Sequence, residues 1–373
     1  MGLSSIENLY DLKVNFRVAQ KATGKSYARL LLEALQFRFG ETGIGFSEFF
    51  GYKLYNSELL SPDQIHSFSS AAVAKQIWKK LNPPKFWGLA IDKVGFQIMM
   101  EGMGFAQPNL LALYSKNGRI VPGVKSLQNA EQIESFLKTT CDYPIFGKPS
   151  DSFDGRGAIG IKSYNHSRAT VILQNNEERP ISNLIREFSE WNEYLFQSSL
   201  TSHRSLVDFS GSSLSTMRMV VLFTKTGPEL FRIVWKIPNK MNMADNSWQP
   251  RNVAAHIDPA NGKVYAMIQS TETGYTELGH ETPLGKRFLS SSPPFFTDAT
   301  ELVLRASRAF SMFRYQAWDI ALTHDGPIAL ELNHNGDIKI LQLGACFGIL
   351  DEQFKSLLRQ QNLRLKNPKR WFT

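Results

Sequence analysis

Cysteine is nearly absent from this chain of 373 residues: only Cys141 and Cys346 occur, and they share no C-x-x-C or other metal or redox spacing. That excludes a disulfide framework and fits a reducing compartment. No apolar run approaches the roughly 20 residues of a membrane span, so a membrane is not an expected partner. The opening "MGLSSIENLYDLKVNF" lacks the apolar core of a secretory signal. It begins Met-Gly like a myristoylation site, but Ile6 stands where Ser or Thr is required. A cytoplasmic protein is the expectation. Also missing are internal repeats, low-complexity tracts and the phosphate-loop sequence G-x-x-x-x-G-K-[ST].

What is present is ordinary globular composition, with 42% hydrophobic and 20% charged residues, which argues against disorder. The length allows two or three compact domains. A formal charge of +8 favours anionic ligands such as nucleotides, nucleic acid or acidic metabolites, although a solvated basic surface accounts for it equally well.

Residues 1–85 read as helical, with apolar positions at helical spacing in "SYARLLLEALQFRF" and a Ser-Pro start in "SPDQIHSFSSAAVAKQIWKKL". The double proline of "LNPPKFWGL" ends that pattern. Residues 86–145 read as an α/β segment: a helix from "DKVGF", a glycine stop, a strand entered through Pro108, then helix and strand. Residues 146–200 alternate strands with a glycine-rich turn and the helix "PISNLIREFSEW". Residues 201–373 hold the strand-like segments "STMRMVVLFTK", "ELFRIVWKIP" and "NVAAHIDPANGKVYAMI", the helix "DATELVLRASRAFSMF", and a hairpin. Antiparallel strands mixed with helices predict an α+β architecture of at least two lobes.

The hairpin carries the first chemical signal. "WDIAL" and "IALELN" flank "THDGP", and Asp-Gly between apolar runs is a strong turn signal. Period-two alternation puts Glu331 and Asn333 on one face and Leu330 and Leu332 on the other. A three-residue loop of His324, Asp325 and Gly326 sets Asp319 opposite Glu331. Facing carboxylates repel, and a cation between them is the usual remedy. Two carboxylates and an amide oxygen form a hard set suited to Mg²⁺ on phosphates. Ordinary salt-bridge partners are the simpler account of any lone acidic pair.

The second signal is "PIFGKPSDSFDGRGAIGIKSY", which contains G-x-G-x-x-G at Gly155, Gly157 and Gly160. A dinucleotide-binding fingerprint opens a helix, whereas "AIGIKSY" is strand-like. A glycine-rich turn between two strands is instead a flap that covers phosphates with main-chain N–H groups. Lys148 lies in the strand entering it, where a cation meets an α or β phosphate.

Several stretches together resemble the ATP-grasp enzymes, nearest the sugar-transfer-associated group. They are "DK" at Asp92 and Lys93, "FGKPSDSFDGRG", "EYLFQSSLTSH", "STMRMVVL" and "WDIAL…IALELN", spread over residues 80 to 350. The resemblance implies an ATP-grasp fold, two α+β lobes gripping ATP, with a helical N-terminal region outside the signature. It implies ATP and Mg²⁺, with Lys93 and Lys148 on the nucleotide phosphates and Ser152, Asp154, Gly155, Arg156 and Gly157 in the flap. The main chain at Phe196, Gln197 and Ser198 would meet adenine, and His203 ribose. Asp319, Glu331 and Asn333 would hold the metal. Lys236 and Asn246 lie in stretches that line the γ-phosphate side in relatives, and Arg218 offers a planar fork for phosphate or carboxylate.

The chain also departs from the pattern. Arg251 and Asn252 stand where many relatives carry Gly-Gly, and Ala317 stands two residues before the first metal-binding Asp, where D-alanine ligases place arginine. Arg218 and Arg251 are therefore the candidates to stabilise an acyl intermediate. The expected activity is ATP-dependent joining of a small-molecule carboxylate to an amine, with no nucleic-acid partner. A phosphotransferase on the same fold is one alternative. A non-catalytic nucleotide- or nucleic-acid-binding module is another, supported slightly by Lys366, Lys369, Arg370 and Trp371 in the tail.

Overall fold

The structure is a computed structural model that describes residues 3–364 apart from 141, 153, 154, 212, 243–245, 247, 248, 272 and 273, with side chains from Leu12 onward. Helices lead: α1 (Leu3–Thr23), α2 (Tyr27–Phe39), α3 (Phe46–Gly51), α4 (Pro62–Ser67), α5 (Ala71–Leu81), α6 (Gly88–Ile91) and α7 (Lys93–Gly102). Serines start three of them. Ser26, Ser61 and Ser70 each accept a main-chain N–H from the first turn of α2, α4 and α5. The segment with the Ser-Pro start is thus two helices, because Ser70 caps a second start and Phe68 turns into the core between them.

Two seven-stranded sheets follow among the described residues. The first is built from β1 (Leu110–Ser115), β2 (Lys125–Leu127), β3 (Ile145–Pro149), β4 (Ile159–Asn165), β5 (Thr170–Leu173), β6 (Glu178–Pro180) and β7 (Glu193–Ser198), in the order β2-β1-β7-β3-β4-β5-β6. Helices α8 (Ala130–Thr139) and α9 (Ile181–Glu190) cover it. The buried positions of α9, Ile181, Leu184, Ile185 and Phe188, recur at helical spacing and meet Tyr194 and Phe196 of β7. β1 and β2, from the segment expected to precede the lobes, share this one sheet with the flap-bearing strands.

The second sheet contains β8 (Thr216–Phe223), β9 (Pro228–Ile237), β10 (Val253–Ile257), β11 (Val264–Ser270), β12 (Tyr275–Glu277), β13 (Tyr315–Thr323) and β14 (Gly326–Asn333), ordered β12-β11-β10-β9-β8-β13-β14. Helices α10 (Val207–Ser210), α11 (Pro283–Phe288), α12 (Phe296–Ser307), α13 (Ile338–Gln342) and α14 (Glu352–Gln360) complete the chain order. Alternation sorts the faces. Met217, Met219, Val221, Trp235 and Trp318 lie under α7 and α12, while Val220, Val234, Ala254 and Tyr315 lie under the N-terminal helices, α13 and α14. All nine residues of β13 are buried, so neither face of that strand meets water.

The N-terminal helices are tied to this sheet by polar groups as well as packing. Asn82, just past α5, donates to the carbonyls of Tyr315 at 2.6 Å and His334 at 2.5 Å and accepts the Tyr315 N–H at 3.1 Å. Helix α7 joins the two sheets. Its Phe96 lies 6.0 Å from Trp318, while Val94 packs with Leu113 and Leu195 of the first sheet. Gln97 donates to the Pro108 carbonyl at 2.7 Å and accepts from the Gln197 amide at 2.5 Å.

The β13–β14 hairpin differs from the expected turn in an instructive way. Thr323 pairs with Gly326, so the loop is the two residues His324 and Asp325, one shorter than expected. Gly326 does hold a positive φ, +127°. A bulge between Asp319 and Ile320 leaves Leu330 as the extra residue on β14, which restores the lost register, and Asp319 still faces Glu331. The bulge also moves Leu330 off the alternation: Ala329 and Leu332 reach the core beneath α12, and Leu330 does not.

Candidate functional site

Register across three strands builds a charged row, Glu331 on β14, Asp319 on β13 and Arg218 on β8. Arg218 meets Asp319 through two N–H groups, Nε to Oδ1 and Nη2 to Oδ2 at 2.9 Å. Lys236, which pairs with Thr216 two residues along β8, sends its Nζ to Asp319 Oδ2 at 3.5 Å. The remedy for the facing carboxylates expected from sequence is thus already in the sheet as two cations. Burial pushes the Asp319 carboxyl up, but the charges of Arg218 and Lys236 and the Arg218 hydrogen bonds outweigh it. The carboxyl is held well below the usual range and stays ionised. Asn333 shares the face of Glu331 and donates its amide to Glu331 Oε1 at 3.0 Å.

Two lysines face this row from other elements, Lys148 on β3 of the first sheet and Lys93 at the start of α7. Lys148 on β3 is strongly desolvated, which pushes its ammonium down to about 8, with Glu331 pulling it up and Lys93 pushing it down. Lys148 thus lies within reach of the charges of both the hairpin carboxylate and Lys93. Lys93 opens α7 behind the capping residue Asp92 and hydrogen-bonds through Nζ to the Ser152 carbonyl at the base of the flap. Gly155 and Gly157 adopt φ of +69° and +74°, and Gly155, Arg156 and Gly157 are exposed. At Gly157 a Cβ would stand 2.8 Å from both Pro149 and Trp191, so glycine is what lets the turn close against those rings. The Tyr194 hydroxyl donates to the Gly157 carbonyl at 2.6 Å. Asp154 lies outside the described residues, as do the tail residues Lys366, Lys369, Arg370 and Trp371.

Other residues singled out from sequence sit differently. Phe196 and Gln197 are inside β7, paired to β1 on one side and β3 on the other, and the Ser198 N–H donates to the Asn109 carbonyl at 2.9 Å. Their main chain is therefore committed to the sheet rather than offered to a base. His203 caps a short 3-10 turn through its Ser205 contacts and stacks edge-on to Phe295 at 5.4 Å. Its N–H donates to the Leu322 carbonyl, three residues from Asp319 along β13, roughly 10 Å away. Arg251 is exposed on the turn leading into β10, with its N–H on the Ser270 carbonyl at 2.8 Å and φ of +71°. An arginine holds there the left-handed conformation that glycine adopts freely. Asn252 is buried and accepts from the Asn239 N–H and the Asn242 amide, both at 2.7 Å, while donating to the Asn246 carbonyl at 2.8 Å.

One group near Lys93 escaped the sequence reading. Arg119 grips Asp92 with two N–H groups at 2.9 and 2.8 Å and reaches Glu193 at 3.2 Å, and the Ser150 hydroxyl also donates to Asp92. Burial pushes the Asp92 carboxyl up, but the Arg119 hydrogen bonds with those of Gly95 and Ser150 leave it below its usual value. Sequence marks Asp92 only as the residue before Lys93 at the start of a helix, and nothing local marks Arg119 as its partner. A cleft of about 400 Å³ opens here, lined by Asp92, Arg119, Ser150, Asp151 and Glu193 among others. It borders the neighbourhood of Lys93 but includes none of Lys148, Asp319 or Glu331.

The donor set suits a hard cation. Asp319, Glu331 and Asn333 offer only oxygen ligands, Asp319 is ionised, and a carboxylate has more lone pairs than its two cation partners use. Among the described residues no group of three or more His, Cys, Asp and Glu is placed to hold a metal ion, so an ion here needs phosphate or water oxygens to complete its shell.

No curated protein matches the chain in sequence. Among solved structures it is similar to the ATP-grasp ligase PsnB complexed with minimal precursor, at 14% identity and a TM-score of 0.39 over 75% of this chain and 63% of that one. It is similar also to D-alanine–D-alanine ligase from Helicobacter pylori, at 13% and 0.39 over 73% and 60%. D-cycloserine synthetase DcsG gives 13% and 0.42 over 76% and 74%. The chain thus spans about three-fifths of the length of the first two. The model of the sugar-transfer associated ATP-grasp family matches residues 72–355. That stretch is about three-quarters of the chain and holds every lysine and carboxylate of the site, and the chain belongs to this family.

Proposed function

We propose that the protein is an ATP-dependent, ADP-forming ligase that joins a carboxylate to an amine, working in the cytoplasm with ATP and Mg²⁺. The observation that carries this reading is that Lys148, on the first sheet, feels the charges of both Glu331 on the second sheet and Lys93 at the start of α7, with Asp319 facing Glu331. A triphosphate bound with a magnesium ion needs both kinds of partner, ammonium groups for its oxygens and hard ligands for the metal. Asp319, Glu331 and Asn333 would hold Mg²⁺, which when bound neutralises charge on the phosphate oxygens.

The chain's own residues position and shield. Lys148, charged below about pH 8, and Lys93 hold the phosphates, and the flap from Ser152 to Gly157 covers them with main-chain N–H groups and excludes water. With the Phe196 to Ser198 main chain committed to the sheet, adenine would be met by the chain beyond Ser198. An oxygen of the substrate carboxylate attacks the γ-phosphorus, and ADP leaves with the electron pair of the broken P–O bond. The amine nitrogen then attacks the acyl carbon, the C–O bond to phosphate breaks, and the amine proton passes to solvent. Arg218, Lys236 and Arg251 supply positive charge on the acceptor side.

An ADP-release screen over amino acids, peptides and small acids, with mass spectrometry of each hit, tests the reading. The family's description associates it with sugar transfer, so sugar-bearing acids and amines belong in the panel. ADP release that needs two substrates together, with free phosphate, is the expected result. Phosphate retained on a single acceptor would make the protein a phosphotransferase instead.

A further inference from the structure

Helices α1 and α2 form a hairpin closed by the three residues Gly24 to Ser26, with Phe16 and Tyr27 rings 6.1 Å apart. Their inner faces are accounted for. Leu12, Phe16 and Ala19 of α1 and Leu30, Ala34 and Phe37 of α2 turn onto the core shared with the second sheet. A quarter to half a turn round from those faces, where water is the usual neighbour, stand more aliphatic side chains. Val14 and Val18 are 42% and 55% exposed, and Leu31 and Leu32 are 43% and 58% exposed.

From Leu12 onward, where side chains are described, the charge beside these residues has one sign. Lys13, Arg17 and Lys21 are exposed beside the valines, and Arg38 is exposed on α2. From Leu12 to Phe39 the only acid is Glu33, which is held by Lys25 at 2.8 Å and Arg29 at 3.2 Å. Glu7 and Asp11 lie nearer the start of α1.

We infer that the outer face of the α1–α2 hairpin docks the protein on an anionic lipid surface. Aliphatic side chains among lysines and arginines suit the boundary between headgroups and acyl chains, where methyl groups enter and cations meet lipid phosphates. A second copy is disfavoured, because pairing two such faces would bring like charges together. The expectation of no membrane partner rested on the lack of a spanning run. No helix among the described residues is long and apolar enough to cross a membrane, but a surface-lying hairpin needs no span. Both helices also precede the family match, which begins at residue 72, so this face is independent of the site described above.

Flotation of the full chain with vesicles tests the inference. The protein should float with phosphatidylcholine vesicles that contain phosphatidylglycerol, stay behind with phosphatidylcholine alone, and be released by high salt. Each cation near an anionic surface is worth roughly fivefold in partitioning, so Lys13→Gln, Arg17→Gln and Lys21→Gln together should lower it by about a hundredfold. Leu32→Asp should lower it too, with the circular-dichroism spectrum and nucleotide binding unchanged. The idea fails if the wild type ignores anionic vesicles, or if correctly folded variants float as the wild type does. Retained nucleotide binding separates this failure from failure of the ligase reading.

Discussion

The two sheets contribute opposite things to one site. The second sheet supplies a charged row already satisfied within itself: Arg218 and Lys236 meet Asp319, Asn333 meets Glu331, and β13 is buried along its whole length. The first sheet supplies Lys148 and an exposed glycine turn pinned at its base by Lys93 and Tyr194. The difference is one of burial against exposure. Fixed charges are held by a buried network, and the glycine turn proposed as the nucleotide's cover is held by a few contacts at its edges.

The largest effect expected from breaking this contrast comes from Asp319→Ala. It leaves two buried cations without their carboxylate, and urea denaturation should show a loss of about 3–5 kcal/mol. A loss under about 1 kcal/mol would mean that the row is not the rigid half of the site. Lys148→Met, on the other sheet, should leave stability nearly unchanged.

A pH experiment sharpens the same point. His256 on β10 is buried, which pushes its pKa down to about 4, and its Nε2–H donates to the Leu343 carbonyl at 2.7 Å. The folded state thus binds fewer protons than the unfolded state. The stability tied to His256 is complete above the unfolded value near 6.5 and is lost as pH falls toward about 4. The full loss is about 3 kcal/mol, and denaturation midpoints should fall less with acid in His256→Gln than in the wild type. Parallel falls would remove His256 from the account.

The smallest effect separates the two glycines of the flap. Both hold positive φ, so alanine costs about 1 kcal/mol at either site. At Gly155 the added methyl meets open space, whereas at Gly157 it meets Pro149 and Trp191. Gly157→Ala should therefore cost an additional 1–3 kcal/mol or so, or weaken nucleotide binding by displacing the flap. Equal behaviour of the two variants would show that the Trp191 contact does not hold the turn.

Local rules made much of this legible from sequence. Period-two alternation put Glu331 and Asn333 on one face, Asp-Gly marked the hairpin, and a lysine before a glycine turn marked the flap. The α+β architecture and helical N-terminal region followed from the same patterns. The Asp319 to Glu331 pairing was reached through a turn one residue too long, and a bulge at Leu330 supplied the difference. Bulges arise from the fit of neighbouring strands and leave no local mark. Nor is there a local mark for contacts between residues distant in sequence: Arg218 with Asp319, Arg119 with Asp92, or Gln97 with Gln197. The Phe196 to Ser198 main chain was expected to meet adenine, and nothing in the segment reveals that β1 and β3 flank it.

The central claim is that Lys148 of one sheet, Lys93 at the start of α7 and the carboxylates of the other sheet together bind magnesium-ATP. Calorimetric titration of magnesium-ATP into the wild type and into Lys148→Met tests it most directly. The account predicts binding by the wild type and at least about a hundredfold weaker binding by the folded variant, because a desolvated ammonium on phosphate has no substitute in methionine. Equal affinities in the two proteins would contradict it.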